Sequence, residues 1–157
     1  MKKKIFITFL VSICLILNFI YFFKIDVQYE VFASGTSNSN SDVQLLARAI
    51  NGEARGESYE GQVAVGAVIL NRVKHSSFPN TIAGVIYQSG AFTAVSDGQI
   101  NVPIAENSTV YKAAQDAING WDPTNGCIYY FNPNTATSSW IWSRQIVKTI
   151  GKHHFCK

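Results

Sequence analysis

Basic residues are few in this sequence, and they do not gather where a partner of opposite charge would need them. Of thirteen Lys and Arg, four precede residue 34 (Lys2, Lys3, Lys4 and Lys24), and beyond that point nine basic side chains face eight acidic ones. That remainder is nearly neutral and carries no Lys/Arg stripe able to track a phosphate backbone, so no nucleic-acid partner is expected. Histidines are equally scarce: besides His75 there are only His153 and His154, which are adjacent and would face opposite ways in a strand. With no HExxH and no paired CxxC, the sequence offers no set of metal ligands, and no metal is expected. It has no phosphate-cradling glycine loop, no parallel-sheet rhythm and no internal repeat, so no cofactor is expected and the repeat folds are excluded. Cysteine is limited to Cys14, Cys127 and Cys156. The last two form a candidate disulfide in an oxidising compartment, where closing a loop of about thirty residues would contribute roughly 3–4 kcal/mol. A Cys–His nucleophile built from Cys127 with His153 or His154 lacks the glycine-bounded turn and the orienting partner such a site requires.

What the chain does have begins with an export signature. Lys2, Lys3 and Lys4 precede an apolar run from Ile5 to Phe23, and Val31-Phe32-Ala33 places small residues at the −3 and −1 positions of a cleavage site. Residues 1–33 are therefore expected to be a signal peptide or, since the run approaches bilayer length, an N-terminal membrane anchor. Residues 34–41, SGTSNSNS, read as a polar linker. Residues 42–157 remain as a single domain outside the cytoplasm, and a composition that is 47% hydrophobic suits a packed core.

The best helix signal in the chain starts that domain. Ser41 followed by Gln44 is a capping-box pattern, and Val43, Leu46, Ala47 and Ile50 recur at the spacing of one helix face, which predicts a helix from about Asp42. Glu53 lies seven residues after Leu46 and three after Ile50, so it continues the apolar stripe. An acid stands where a leucine would fit. Burial disfavours the ionised form of a carboxyl, and a general acid must hold its proton near neutral pH. Gly52 and Gly56 beside it would leave room for a bulky substrate. The competing reading pairs Glu53 with Arg48 or Arg55 on the helix surface.

Ser58 is expected to cap a second helix, buried all round because VAVGAVIL is apolar on every side. A third helix is predicted over Thr81–Gln88, a hairpin-like turn at Asp97-Gly98, and a fourth helix from Asn107 or Ser108 to Gly120. CIYYFNP reads as a short strand, and QIVKTIGKHHFCK as a strand pair about Gly151. The expected fold is α+β, mainly helical, with a small β part. Trp121, Tyr129, Tyr130, Phe131, Trp140 and Trp142 crowd together among Asn, Ser and Thr. Aromatic faces beside amides and hydroxyls suit a sugar-binding cleft.

Several stretches are long enough to carry a resemblance: ARAINGEARGE with YEGQVAVGAVILNRV, FPNTIAGVIYQ, GAFTAV with DGQI, IYYFNP, WIWSR and KTIGKHHFCK. Over about residues 42–157 the chain resembles the catalytic domain of the spore cortex-lytic enzymes, the SleB-type cell-wall hydrolases. The resemblance implies a lysozyme-like or lytic-transglycosylase-like single domain that cleaves glycan strands of spore-cortex peptidoglycan during germination. It implies that Glu53, the Glu of NGEARGE, is the catalytic residue, and that the protein acts in the cortex, the cell wall or at the outer face of the spore inner membrane, in association with a membrane or a helper protein. The relatives commonly carry a peptidoglycan-binding domain ahead of the catalytic one; here residues 34–41 stand in that place.

Two chemistries fit such an enzyme. Hydrolysis needs a second carboxyl about 5–9.5 Å from the first, and Glu57 and Asp97 are the candidates. Lytic transglycosylation needs none, because the 6-hydroxyl of the muramic residue attacks its own anomeric carbon and one carboxyl acts as acid and then as base; the resemblance favours this route. A non-catalytic glycan-binding module is a third reading. Phe92, Thr93, Tyr130 and Trp140 are expected to line the glycan site.

Overall fold

The computed structural model describes residue 20 and residues 40–157. The expected export segment, Cys14 and most of the linker lie outside the described residues. Among the described residues, no helix is long and apolar enough to cross a membrane.

Among the described residues helix α1 runs over 40–54, so the linker's last two residues are already helical and Ser41, expected just before the helix, lies within it. Leu46, Ala47, Ala49 and Ile50 are buried, as the 3.6-residue period requires. Helix α2, Tyr59–Lys74, is capped by the Ser58 hydroxyl, which accepts from the Gly61 N–H at 3.2 Å. Val63 to Ile69 are buried without a break, which makes α2 the central helix. Gly66 lets its neighbours close on it: a Cβ there would stand 3.0 Å from the Ile50 side chain on α1 and 3.1 Å from Ala117. Ala117 belongs to α5, Val110–Ile118, which packs on α2 through Val110, Ala113 and Ala114.

Between these helices lie α3, Ile82–Ile86, capped by Thr81, and α4, Thr93–Ser96. The expected turn at Asp97-Gly98 is not a hairpin. Asp97 ends α4, and Gly98, at φ 81°, leads into a 3₁₀ turn over Gln99–Asn101. Residues 127–157 form the β part: β1 Tyr129–Phe131, β2 Ile146–Ile150 and β3 His153–Cys156, antiparallel in the order β1-β3-β2. The strand pair about Gly151 is β2 and β3, and β1 joins it with Tyr130 opposite Phe155.

The sheet is fastened to the end of α2 by polar groups. Asn71 donates to the Cys127 carbonyl at 3.0 Å, and Arg72 Nε donates to the Ile128 carbonyl at 2.7 Å. Asn71 also donates to Asp122, which accepts in addition from the Thr124 N–H and hydroxyl and the Gly126 N–H. Burial pushes the Asp122 carboxyl up, but these hydrogen bonds outweigh it and hold it below the ordinary carboxylate value.

The expected disulfide is absent. Cys127 and Cys156 are free, buried thiols. Cys127 donates through Sγ to the Thr124 carbonyl at 3.1 Å and joins the main core, whereas Cys156 packs with Phe131 and Ile141 in a smaller apolar cluster. Burial, reinforced by the neighbouring Cys127, pushes the Cys156 thiol up to about 11, so it is held as the unreactive thiol.

Candidate active site

Glu53 stands in the last turn of α1 and faces a cleft of about 650 Å³. The walls are the segment after α3, strand β1 and the loop from Asn132 to Ile141. Among the described residues, Glu53 is the one carboxylate in this lining. Each of its oxygens has its own donor: Oε1 accepts from the Ala94 N–H at 2.8 Å, and Oε2 accepts from the Tyr130 hydroxyl at 2.9 Å. Tyr130 is itself held as the neutral phenol, since burial and then the adjacent Glu53 charge push its ionisation well above the usual tyrosine value. It is thus a permanent donor.

The glycine before Glu53 has a different use from the expected one. A Cβ on Gly52 would fall 2.5 Å from the Ala94 Cβ. Its absence makes no opening for substrate; it lets α4 approach α1 closely enough for the Ala94 N–H to reach Glu53. Gly56, by contrast, has nothing within 4 Å of such an atom. The surface pairing of Glu53 with Arg48 or Arg55 does not form: Arg55 donates to Gln99 at 2.7 Å, and the salt bridges among the described residues are Lys112–Asp116 and Lys148–Glu60.

The expected second carboxylates are both elsewhere. Glu57 follows the end of α1, so a one-turn helical offset from Glu53 does not apply to it; its Oε2 accepts from the Lys152 N–H at 3.0 Å in the β2–β3 turn. Asp97 accepts from the Gln99 N–H at 3.0 Å and shapes the exposed 3₁₀ turn. Neither lines the cleft with Glu53.

Of the residues expected around the glycan, Thr93, Tyr130 and Trp140 line the cleft and Phe92 does not. Phe92 is only 5% exposed, and the Arg72 guanidinium carbon lies 5.1 Å from its ring centre. The cation draws the ring inward. Trp140 is 48% exposed at the rim, edge-on to Tyr129 at 5.3 Å, with the Arg144 guanidinium 5.1 Å from its ring. Trp140→Ala is therefore expected to change stability by less than about 1 kcal/mol while raising KM for glycan several-fold. Melting curves beside cleavage kinetics test this: a large fall in Tm with unaltered activity per folded molecule returns Trp140 to the core.

Two cleft residues escaped sequence reasoning. Arg72 was legible only as a cation at a helix C-terminus, yet it follows Val65 by seven residues and Val68 by four, which puts it on the buried face. It is 8% exposed, sits against Phe78, Phe92 and Tyr129, and lines the cleft. Its ionisation is lowered by burial, partly offset by nearby groups that include Glu53. His153 had drawn notice only as a poor metal ligand and as a candidate partner of Cys127 in a Cys–His nucleophile. Strand alternation places it on the face of Phe155, which is fully buried, and His153 also lines the cleft.

The family model for Cell Wall Hydrolase matches residues 56–156. The chain belongs to the cell wall hydrolase family. The matched span starts three residues beyond Glu53, which places the NGEARGE carboxylate at its edge and the whole sheet inside it. The chain is 63% identical over 119 residues to the spore cortex-lytic enzyme of Bacillus cereus, an alignment covering 76% of this chain and 45% of that protein. This cell wall hydrolase thus spans less than half the length of that relative. Its fold matches the catalytic domain of the Bacillus cereus SleB protein with a TM-score of 0.70 at 63% identity, over 75% of this chain and 91% of that one. It matches equally the catalytic domain of the germination-specific lytic transglycosylase SleB of Bacillus anthracis, with a TM-score of 0.69 at 63% identity over 74% and 93% of the two chains. The mainly helical α+β domain, expected to be lysozyme-like, is the fold of these catalytic domains.

Proposed function

We propose that this cell wall hydrolase cleaves the glycan strands of spore-cortex peptidoglycan during germination, as a lytic transglycosylase acting between N-acetylmuramic acid and N-acetylglucosamine. Glu53 is the acid that protonates the glycosidic oxygen. The observation carrying the reading is that, among the described residues, the cleft is lined by a single carboxylate, held by two donors and faced by aromatic, amide and hydroxyl groups suited to a sugar chain. A hydrolase using water calls for a second carboxyl across the scissile bond, and the two candidates for it, Glu57 and Asp97, lie outside the lining. Transglycosylation needs no such group, since the muramic 6-hydroxyl attacks the anomeric carbon. The names of the relatives, a spore cortex-lytic enzyme and a germination-specific lytic transglycosylase, support both substrate and route.

The same proposal places the protein outside the cytoplasm, in the cortex or at the outer face of the spore inner membrane, with the apolar run Ile5–Phe23 as its route there and a membrane or helper protein as its associate. Incubating the purified chain with cortex glycan fragments and weighing the products tests the chemistry. Transglycosylation gives 1,6-anhydro ends, lighter by one water than hydrolysis products. Hydrated ends alone reject it, and glycan that is bound but never cut leaves only a binding module.

A further inference from the structure

The cleft does not stay on the face of the sheet where Glu53 is held. Strand β1 is an edge of that sheet, and alternation along it turns Tyr130 to one face and Tyr129 and Phe131 to the other. All three line the cleft, so the cleft passes over the edge. It starts at Glu53 and Tyr130 and ends on the face where the 3₁₀ turn Ser139–Ser143 packs, through Ile141, on Phe131 and Cys156. There each ring of β1 meets a tryptophan. Trp140 stands edge-on to Tyr129, and Trp142 stands edge-on to Phe131 with ring centres 4.9 Å apart. Tyr129 and Phe131 are two residues apart on one strand face, so the two tryptophans follow one another along it.

Trp140 lines the cleft and Trp142 does not, yet Phe131, which Trp142 touches, and Ile141, which precedes it, both do. Trp142 thus lies one step beyond the end of the lining, and it is 51% exposed. A single exposed apolar residue calls for no explanation. Two half-exposed tryptophans on one turn of five residues form a patch of the kind that marks a binding surface. The turn is also held in place: the Ser143 hydroxyl donates to the Trp140 carbonyl at 2.8 Å, and the Arg144 guanidinium carbon lies 4.9 Å from the Tyr129 ring centre. Rings fixed in this way are presented without the ordering cost of a loose loop.

Resting on the proposed glycan cleavage, we propose that Trp142 is an outer glycan-binding site, on which the sugar strand lies after it leaves the cleft past Trp140. The ligand is the neutral sugar backbone, whose apolar ring face stacks on the indole while its hydroxyls stay wet. The loop that joins β1 to the 3₁₀ turn adds Asn132, Thr135, Thr137 and Ser138 to the lining, all donors and acceptors suited to sugar hydroxyls. Two observations favour a glycan as the occupant. The surface continues the cleft through Phe131 and Trp140. From Ser138 to Val147 the chain carries one charged side chain, Arg144, which is engaged with the Tyr129 and Trp140 rings, whereas an anionic membrane surface draws a cluster of Lys and Arg. The outer site holds the enzyme on a long strand and has no grip on a fragment that ends inside the cleft.

The test compares the purified full chain with Trp142→Ala on two substrates, long cortex glycan strands and the shortest fragment that wild type cleaves. On long strands Trp142→Ala is expected to raise KM about 3- to 10-fold with kcat unchanged. On the short fragment both constants are expected to match wild type, and melting to stay close to it. Should Trp142→Ala fail to fold, Trp142→Gln carries the same readings. Ile146→Ser is the control: it removes an exposed aliphatic side chain opposite Cys156 and is expected to leave the length dependence as it is. An effect of Ile146→Ser equal to that of Trp142→Ala overturns ring stacking. Trp142→Ala within twofold of wild type on both substrates, or losing equally on both, overturns the outer site alone. So does an unaltered length dependence joined to lost binding of phosphatidylglycerol vesicles, which gives the face to a membrane, or to a dimer that becomes a monomer, which gives it to a second copy. Wild type that cuts glycan of neither length overturns the glycan reading, and the outer site with it.

Discussion

Glu53→Gln is expected to eliminate glycan cleavage, with a loss of about 10²–10⁴-fold or more, while melting stays close to that of wild type. The amide keeps the shape of the carboxyl. Its oxygen still accepts from the Ala94 N–H, and the Tyr130 hydroxyl, which both donates and accepts, turns to meet the new NH₂. Only the transferable proton is lost. Rates on cortex glycan fragments, read beside melting curves, check this. Activity within tenfold of wild type would remove Glu53 from the chemistry and return the cleft to a binding role.

Gly52→Ala is expected to have the largest effect of any single methyl group added to the domain's core. The new carbon lands 2.5 Å from the Ala94 Cβ and 3.6 Å from that of Gln99, and Ala94 has no flexible end to swing aside. The backbone of α4 has to shift, at a typical overpacking cost of about 1–3 kcal/mol. The same shift pulls the Ala94 N–H away from Glu53, so activity per folded molecule is expected to fall more than tenfold. Gly56→Ala is the control, with nothing within 4 Å of its added carbon. Equal melting temperatures and equal rates for the two variants would show that α4 is not held by this contact.

How far the sequence could be read depended on how local each feature is. The Ser58 cap, the buried run from Val63 to Ile69 and the turn at Gly151 rest on neighbours a few residues apart, and they stand where expected. Glu53 was legible because it interrupts a helical period. The segment around Phe92 was not, since a four-residue helix is too short to show any period and its Asp-Gly pair mimics a hairpin turn. Phe92 was expected to line the glycan site; a cation twenty residues earlier, on α2, instead packs against its ring in the core. Glu57 follows Glu53 by four residues, which would be one turn of a continuing helix, but α1 stops at residue 54. Cys127 and Cys156 were matched as the two cysteines of the exported domain, but both are free, and the Cys127 thiol donates to the Thr124 carbonyl.

The sheet order β1-β3-β2 also determines when the protein becomes able to act. The middle strand is the one made last, so β1 and β2 have no partner until the chain has been synthesised as far as Cys156. Glu53 and Tyr130, separated by 77 positions, meet only when that strand docks β1 against the helices. A helical half built from local contacts is able to form early, whereas the cleft waits on the most distant loop closures in the domain. At ordinary elongation rates of about 5–20 residues per second, the chain spends several seconds helical and inert. Until β3 has been made and docked, the cleft in front of Glu53 lacks its sheet wall.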